Sequence, residues 1–195
     1  IRVHSVFSFL ISMTFFNSFF GMAYVMLMPI FAVDILDVGA KGQGLLLGMA
    51  GAGALVNTLY IGARGSVPHR GLAIIAGAVL FGLAVAAFAL TAEYVGSLSL
   101  AMGLMVIMGI FNSLYMISIQ SSLQMMVPDP IRGRVMGFYG MTWSIMPLGG
   151  LQASALTSIW NAPIAIAAGG LAVAAFALGT SLFNSTVRNL SSNLS

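Results

Sequence analysis

The sequence predicts an all-α, polytopic membrane protein whose six transmembrane helices form two inverted three-helix repeats. Three observations carry that expectation. The first is composition: of 195 residues, 59% are hydrophobic and only 6% are charged, where a water-soluble domain of this size carries about a quarter charged residues. The mean hydropathy is +1.04. The second is the length of the apolar runs, because a bilayer core of roughly 30 Å takes about 20 apolar residues in helical form. The third is similarity between the two halves of the chain.

Six runs meet the length requirement, at approximately residues 5–33, 43–63, 71–92, 97–127, 133–158 and 162–183. They make residues 1–183 one six-helix transmembrane unit, followed by a polar tail at 184–195. Helix one contains Pro29 and helix five contains Pro147, the latter followed by Gly149 and Gly150. Proline removes a backbone donor and crowds the preceding turn, so both helices should bend or loosen. Helices three and six carry almost only Ala, Gly, Leu, Val, Ile and Phe in their middles, which suits lipid contact and close packing. The links are short, so neighbouring helices should run antiparallel.

Charge gives the orientation. Arg2, Arg64, Arg70, Arg132, Arg134 and Arg188 fall on the face that holds both termini, whereas Lys41 stands alone opposite, with Asp34, Asp37 and Glu93. By the positive-inside rule the termini and the loop at 127–137 are expected in the cytoplasm.

The nine residues GLAVAAFAL occur twice, at 82–90 in helix three and at 170–178 in helix six. The segment FNSFF at 16–20 in helix one resembles FNSLY at 111–115 in helix four. Helix one thus pairs with four and helix three with six. A three-helix unit crosses the membrane an odd number of times, so its second copy enters from the opposite side, as in many secondary transporters.

Polar side chains concentrate in helices one and four. Helix one carries Asn17, Ser18 and Tyr24; helix four carries Asn112, Ser113, Tyr115, Ser118, Gln120, Ser121 and Gln124. Asn112, Gln120 and Gln124 share one i, i+4 row. Any one of them could simply hydrogen-bond between helices, at about 0.6 kcal/mol on average. As a set they suit a water-filled cavity, and Asn17, Tyr24, Asn112, Tyr115, Gln120 and Gln124 are the candidate substrate-cavity residues.

Other chemistries find little support. Seven basic against four acidic residues are too dispersed for the basic stripe that nucleic acid needs. There are no cysteines, hence no thiolate metal site or disulfide. Neither histidine lies at membrane depth, no Gly-x-Ser-x-Gly or phosphate-loop motif occurs, and no metal-ligand spacing is present. No catalytic residue, metal or cofactor is expected. None of the four carboxylates lies mid-membrane.

The loop VPDPIRGRVMG at 127–137, with Tyr139, Gly140 and the downstream segment MPLG at 146–149, resembles the loop between helices ten and eleven in the drug- and siderophore-exporting branch of the major facilitator superfamily. That branch includes enterobactin exporters and macrolide-efflux proteins. The likeness is sharp over about twenty-five residues. Relatives often place a second acidic residue directly after the Asp, where this chain has Pro130; locally, Asp129 is expected to cap helix five with Pro130 at its first turn. The resemblance implies the C-terminal half of a twelve-helix major facilitator fold, with an N-terminal six-helix half as partner. It further implies a bacterial plasma membrane location, a small amphipathic substrate, and export by alternating access. Asp129, Arg132, Gly133, Arg134 and Pro147 become candidate gating or loop residues. The competing class is a stand-alone six-helix substrate-binding subunit of an importer.

Overall fold

The first predicted helix follows one continuous helical path but changes its hydrogen-bond register twice. In the computed structural model, which describes residues 2–65 and 70–183, α1 (Arg2–Phe16) leads into a π turn at Asn17–Gly21. There the Met22 amide donates to the Asn17 carbonyl at 2.9 Å. Then α2 (Ala23–Ile30), which contains Pro29, leads into a second π turn at Phe31–Ile35, where the Leu36 amide donates to the Phe31 carbonyl at 2.9 Å. Proline lacks the amide that would bond the Val25 carbonyl, and the wide turn follows directly behind it. The disturbance expected at Pro29 takes the form of a local widening.

The chain continues through α3 (Gly39–Arg64), α4 (Arg70–Tyr94) and α5 (Leu98–Met126), then α6 (Asp129–Met141), a 3₁₀ turn at Thr142–Ile145, α7 (Met146–Thr157) and α8 (Ala162–Phe183). Gly65 ends α3 in the left-handed region at φ 71°, where glycine has no Cβ penalty. Ser97 caps α5, and Asn161 caps α8 by accepting the Ile164 amide at 3.0 Å.

Among the described residues, five segments are long and apolar enough to cross a membrane: Phe9–Ile35, Gly39–Arg64, Arg70–Tyr94, Leu98–Met126 and Ala162–Ser181. The run expected as one fifth helix at 133–158 differs. It begins at Asp129 and breaks between α6 and α7, neither piece being long enough to span. Pro147 cannot donate to the Trp143 carbonyl four residues back. The Met146 amide takes that carbonyl in a tighter 3₁₀ bond instead, and Pro147 falls in the first turn of α7, where its missing donor costs nothing. The tail at 184–195, with Arg188, and His69 lie outside the described residues.

Lipid tails are as apolar as leucine, so helices in a bilayer associate by close contact. Glycine supplies that contact at three crossings. Where α4 meets α8, a Cβ on Gly82 would run into the Gly170 carbonyl and lie 3.0 Å from the Ala174 amide; a Cβ on Gly170 would run into the Gly82 carbonyl and lie 3.1 Å from the Ala86 amide. The contact is reciprocal, and the residues on its two sides are the matching positions of the two GLAVAAFAL segments. Where α3 meets α5, Gly53 faces the Val106 carbonyl and Gly109 the Ala50 carbonyl. Where α7 meets the first π turn, Gly149 faces the Phe19 carbonyl.

Helix direction sorts the charges. α4 and α5 run antiparallel, with Arg70 against Met125 at one end and Gly77 against Tyr115 further along. The Arg70 end also holds Asp129 and Arg132 just past the end of α5, while Glu93 meets Asn161 at the far end of α4.

Candidate functional site

Helix α5 separates its polar side chains by face. Ser113 is buried and accepts a hydrogen bond from the Asn57 amide of α3 at 2.7 Å, while its own hydroxyl donates to the Ala54 carbonyl at 3.3 Å. Ser118 and Ser122 are buried and return their hydroxyls to their own helix, on the Leu114 and Ser118 carbonyls. Gln120 and Gln124 are exposed and Asn112 is half-buried. The amide nitrogen of Asn112 reaches only the Met116 sulfur, at 3.9 Å, and its oxygen is buried without a partner among the described residues. Gln120 and Gln124, one turn apart, therefore form an open polar edge on a largely apolar helix, with Asn112 on the same row but turned partly inward.

The other three candidates are turned inward. Asn17, Tyr24 and Tyr115 are only 1%, 5% and 2% exposed. Tyr24 sets its ring edge-on against Phe81 of α4, with centroids 6.4 Å apart. The Tyr115 hydroxyl ends beside Thr14, whose own hydroxyl is committed to the Leu10 carbonyl at 2.9 Å, and finds no partner in hydrogen-bond geometry among the described residues. Asn17 opens the first π turn. A Cβ on Gly21 would come within 2.7 Å of its side-chain oxygen and 2.9 Å of Phe81, so Gly21 is what leaves room for the amide. The Asn17 oxygen and the Ser18 hydroxyl, both buried, are unpartnered among the described residues. Such groups cost about 1–3 kcal/mol each when left unsatisfied, and π turns often coincide with functional positions. Burial removes Asn17, Tyr24 and Tyr115 from the open surface that Gln120 and Gln124 share.

Two residues went unread in the sequence. Asn57 is a single amide in a glycine-rich apolar helix, with no polar neighbour pattern beyond Thr58 to mark it. Gly21 acts only through the tertiary contact it permits.

The loop between α5 and α6 is organised by Arg132. Its guanidinium pairs with Asp129 at 2.6 Å and donates to the carbonyl of Val127, the C-cap of α5, at 3.3 Å. Asp129 is itself the first residue of α6, with Pro128 in the cap position and no side-chain cap bond. The expected capping by Asp129 is thus replaced by an i, i+3 ion pair. The pair is exposed and contributes about 0.5 kcal/mol or less, so its effect is to fix geometry. Gly133 and Arg134 are exposed on α6, and Pro147 is exposed in the first turn of α7.

No group of His, Cys, Asp or Glu among the described residues could hold a metal ion. The family model described as Major Facilitator Superfamily matches residues 10–194, nearly the whole chain. No curated protein and no solved structure matches it.

Proposed function

Because the chain belongs to the major facilitator superfamily, a family of multi-pass membrane transporters, we propose that it is one six-helix half of a secondary active transporter that exports a small amphipathic molecule, such as a drug or a siderophore. The observation that carries this reading is the polar edge of α5. The Gln120 and Gln124 amides are exposed, and Asn112 lies half-buried on the same row, on a helix whose remaining exposed surface is apolar but for Ser99, which suits a solvated path better than lipid. Export is supported by the resemblance of the 127–137 loop to that of exporting relatives.

In this reading α6 and α7 together make the sixth crossing, and the reciprocal contact of Gly82 with Gly170 lies on the two-fold axis of an inverted three-helix repeat. A second six-helix half faces the polar edge, and alternating access is a rocking of the halves about it. Both termini lie in the cytoplasm by the positive-inside rule.

The test is flux in inverted membrane vesicles containing the full-length protein. Uptake of an amphipathic dye, corresponding to outward movement in the cell, should be driven by an ion gradient and should fall about ten-fold or more in a Gln120→Leu, Gln124→Leu double variant that still inserts. Gradient-driven movement in the opposite sense would replace the exporter with an importer.

A further inference from the structure

A groove separate from the polar edge lies between α1, α6 and α8, with a volume of about 530 Å³, inside the range of about 300–1,000 Å³ typical of small-molecule sites. Its walls include Phe15, Phe16, Phe138, Met141, Ile145 and Phe176. Phe16 of α1 and Phe176 of α8 stack on each other in its wall with centroids 4.2 Å apart. Two hydroxyl residues also line the groove: Thr142, whose hydroxyl is already given to the Tyr139 carbonyl at 2.6 Å, and Ser12, which is exposed at its edge; the other lining residues are apolar. The interior thus suits hydrocarbon. Phe15, Phe138 and Met141 are exposed, so the groove opens sideways onto the surface.

One charge is aligned with it. Arg134, Phe138 and Met141 follow i, i+4 and i+7 spacing along α6 and share a helical stripe, and Ile145 continues the groove wall from the 3₁₀ turn that follows. Arg134 lies one turn, about 6 Å, beyond Phe138 toward the Asp129 end, and the stretch from Phe138 to Ile145 rises about 10 Å. That depth fits within one leaflet of a roughly 30 Å hydrocarbon core. The single ion pair among the described residues is Arg132 with Asp129, so Arg134 is exposed and has no carboxylate partner there.

We propose that this groove holds an acyl chain of an anionic phospholipid, drawn from the leaflet at the Asp129 end of α6, with the lipid phosphate on Arg134. The charge of the arginine and the apolar stripe behind it match the two parts of such a lipid. Arg132 does not compete for the headgroup because Asp129 and the Val127 carbonyl already occupy it. The inference requires that the chain span a membrane and is independent of which molecule is carried.

The chain has no cysteine, so a Met141→Cys variant, in a full-length protein from which any cysteine outside this chain has been replaced, places one bimane label at the rim of the groove. The labelled protein is reconstituted with phosphatidylglycerol or phosphatidylcholine carrying brominated acyl chains, which quench on contact. The expected result is a roughly five-fold preference for the anionic lipid, the size set by one arginine at a membrane surface. Arg134→Gln should abolish the preference and Arg134→Lys should keep it. A label at Leu171→Cys, exposed on α8, should show none. Equal quenching by both lipids, or a preference that survives Arg134→Gln, overturns the proposal. So does the absence of quenching by either lipid, which would mean that protein or a carried molecule covers the groove.

Discussion

At Asn57 one amide joins two helices. Its nitrogen reaches the Ser113 hydroxyl beside the crossing where Gly53 and Gly109 bring the α3 and α5 backbones together, so the glycines set the distance and the amide fixes the rotation. Interhelical hydrogen bonds in bilayers average about 0.6 kcal/mol, because the separated helices also find partners. Asn57→Ala and Ser113→Ala should each lower stability by about that amount, and their double variant should lose no more than either alone. Reversible unfolding in mixed detergent micelles measures the coupling; fully additive losses would mean the bond carries no stability.

Why Asn57 stayed unread while Gln120 and Gln124 stood out is a matter of periodicity. An i, i+4 row is visible in a sequence, but which row of a helix meets a neighbour depends on packing the sequence does not display. The same limit explains Asn17, Tyr24 and Tyr115. Polar residue type marked them for a cavity, yet Gly21 and Gly77 let α4 and the first helical path close over them. The Asp129–Arg132 pair was equally hidden, since Asp before Pro suits a cap as well as a first-turn residue.

Among the elements, the α4–α8 pair gives the sharpest test of packing. Alanine favours a helix over glycine by about 1 kcal/mol, so a glycine-to-alanine change in open space should be neutral or stabilising. Gly179 on α8 has nothing within 4 Å of an added Cβ and serves as the reference. Gly82→Ala and Gly170→Ala instead drive a methyl into a carbonyl of the opposing helix, and should each cost about 1–3 kcal/mol by overpacking. Thermal denaturation in detergent should place both below the parent and Gly179→Ala at or above it. Equal melting temperatures for all three would show that these helices do not approach as described.

Element existence was largely legible, because hydropathy and length alone mark a spanning helix. Helix register was not. The π turns at Asn17–Gly21 and Phe31–Ile35 and the 3₁₀ break before Pro147 are changes in which amide bonds which carbonyl, and apolar composition is silent about that. Pro29 and Pro147 signalled a disturbance without specifying its form. The result at Pro29 was a wider turn and at Pro147 a tighter one.

At the scale of the molecule, the described charges collect at two ends, with Arg64, Arg70, Asp129, Arg132 and Arg134 at one and Asp34, Asp37, Lys41 and Glu93 at the other. Single cysteines at the exposed positions Ala40 and Gly133 should therefore label from opposite sides of the membrane, Gly133 from the cytoplasm. Labelling of both from one side would end the topology.

The central claim is that the polar edge of α5 faces a water-filled path of a transporter, while equally exposed apolar surface faces lipid. The most direct measurement is the reactivity of single cysteines with a membrane-impermeant thiol reagent in the full-length protein. Gln120→Cys and Gln124→Cys should react, and an excess of a transported substrate should protect them. Leu171→Cys, exposed but apolar in its surroundings, should not react, and neither should Asn17→Cys, which is buried. If Gln120→Cys and Gln124→Cys prove as unreactive as Leu171→Cys, the edge meets lipid or another helix, and the proposed path through this half of the protein does not exist.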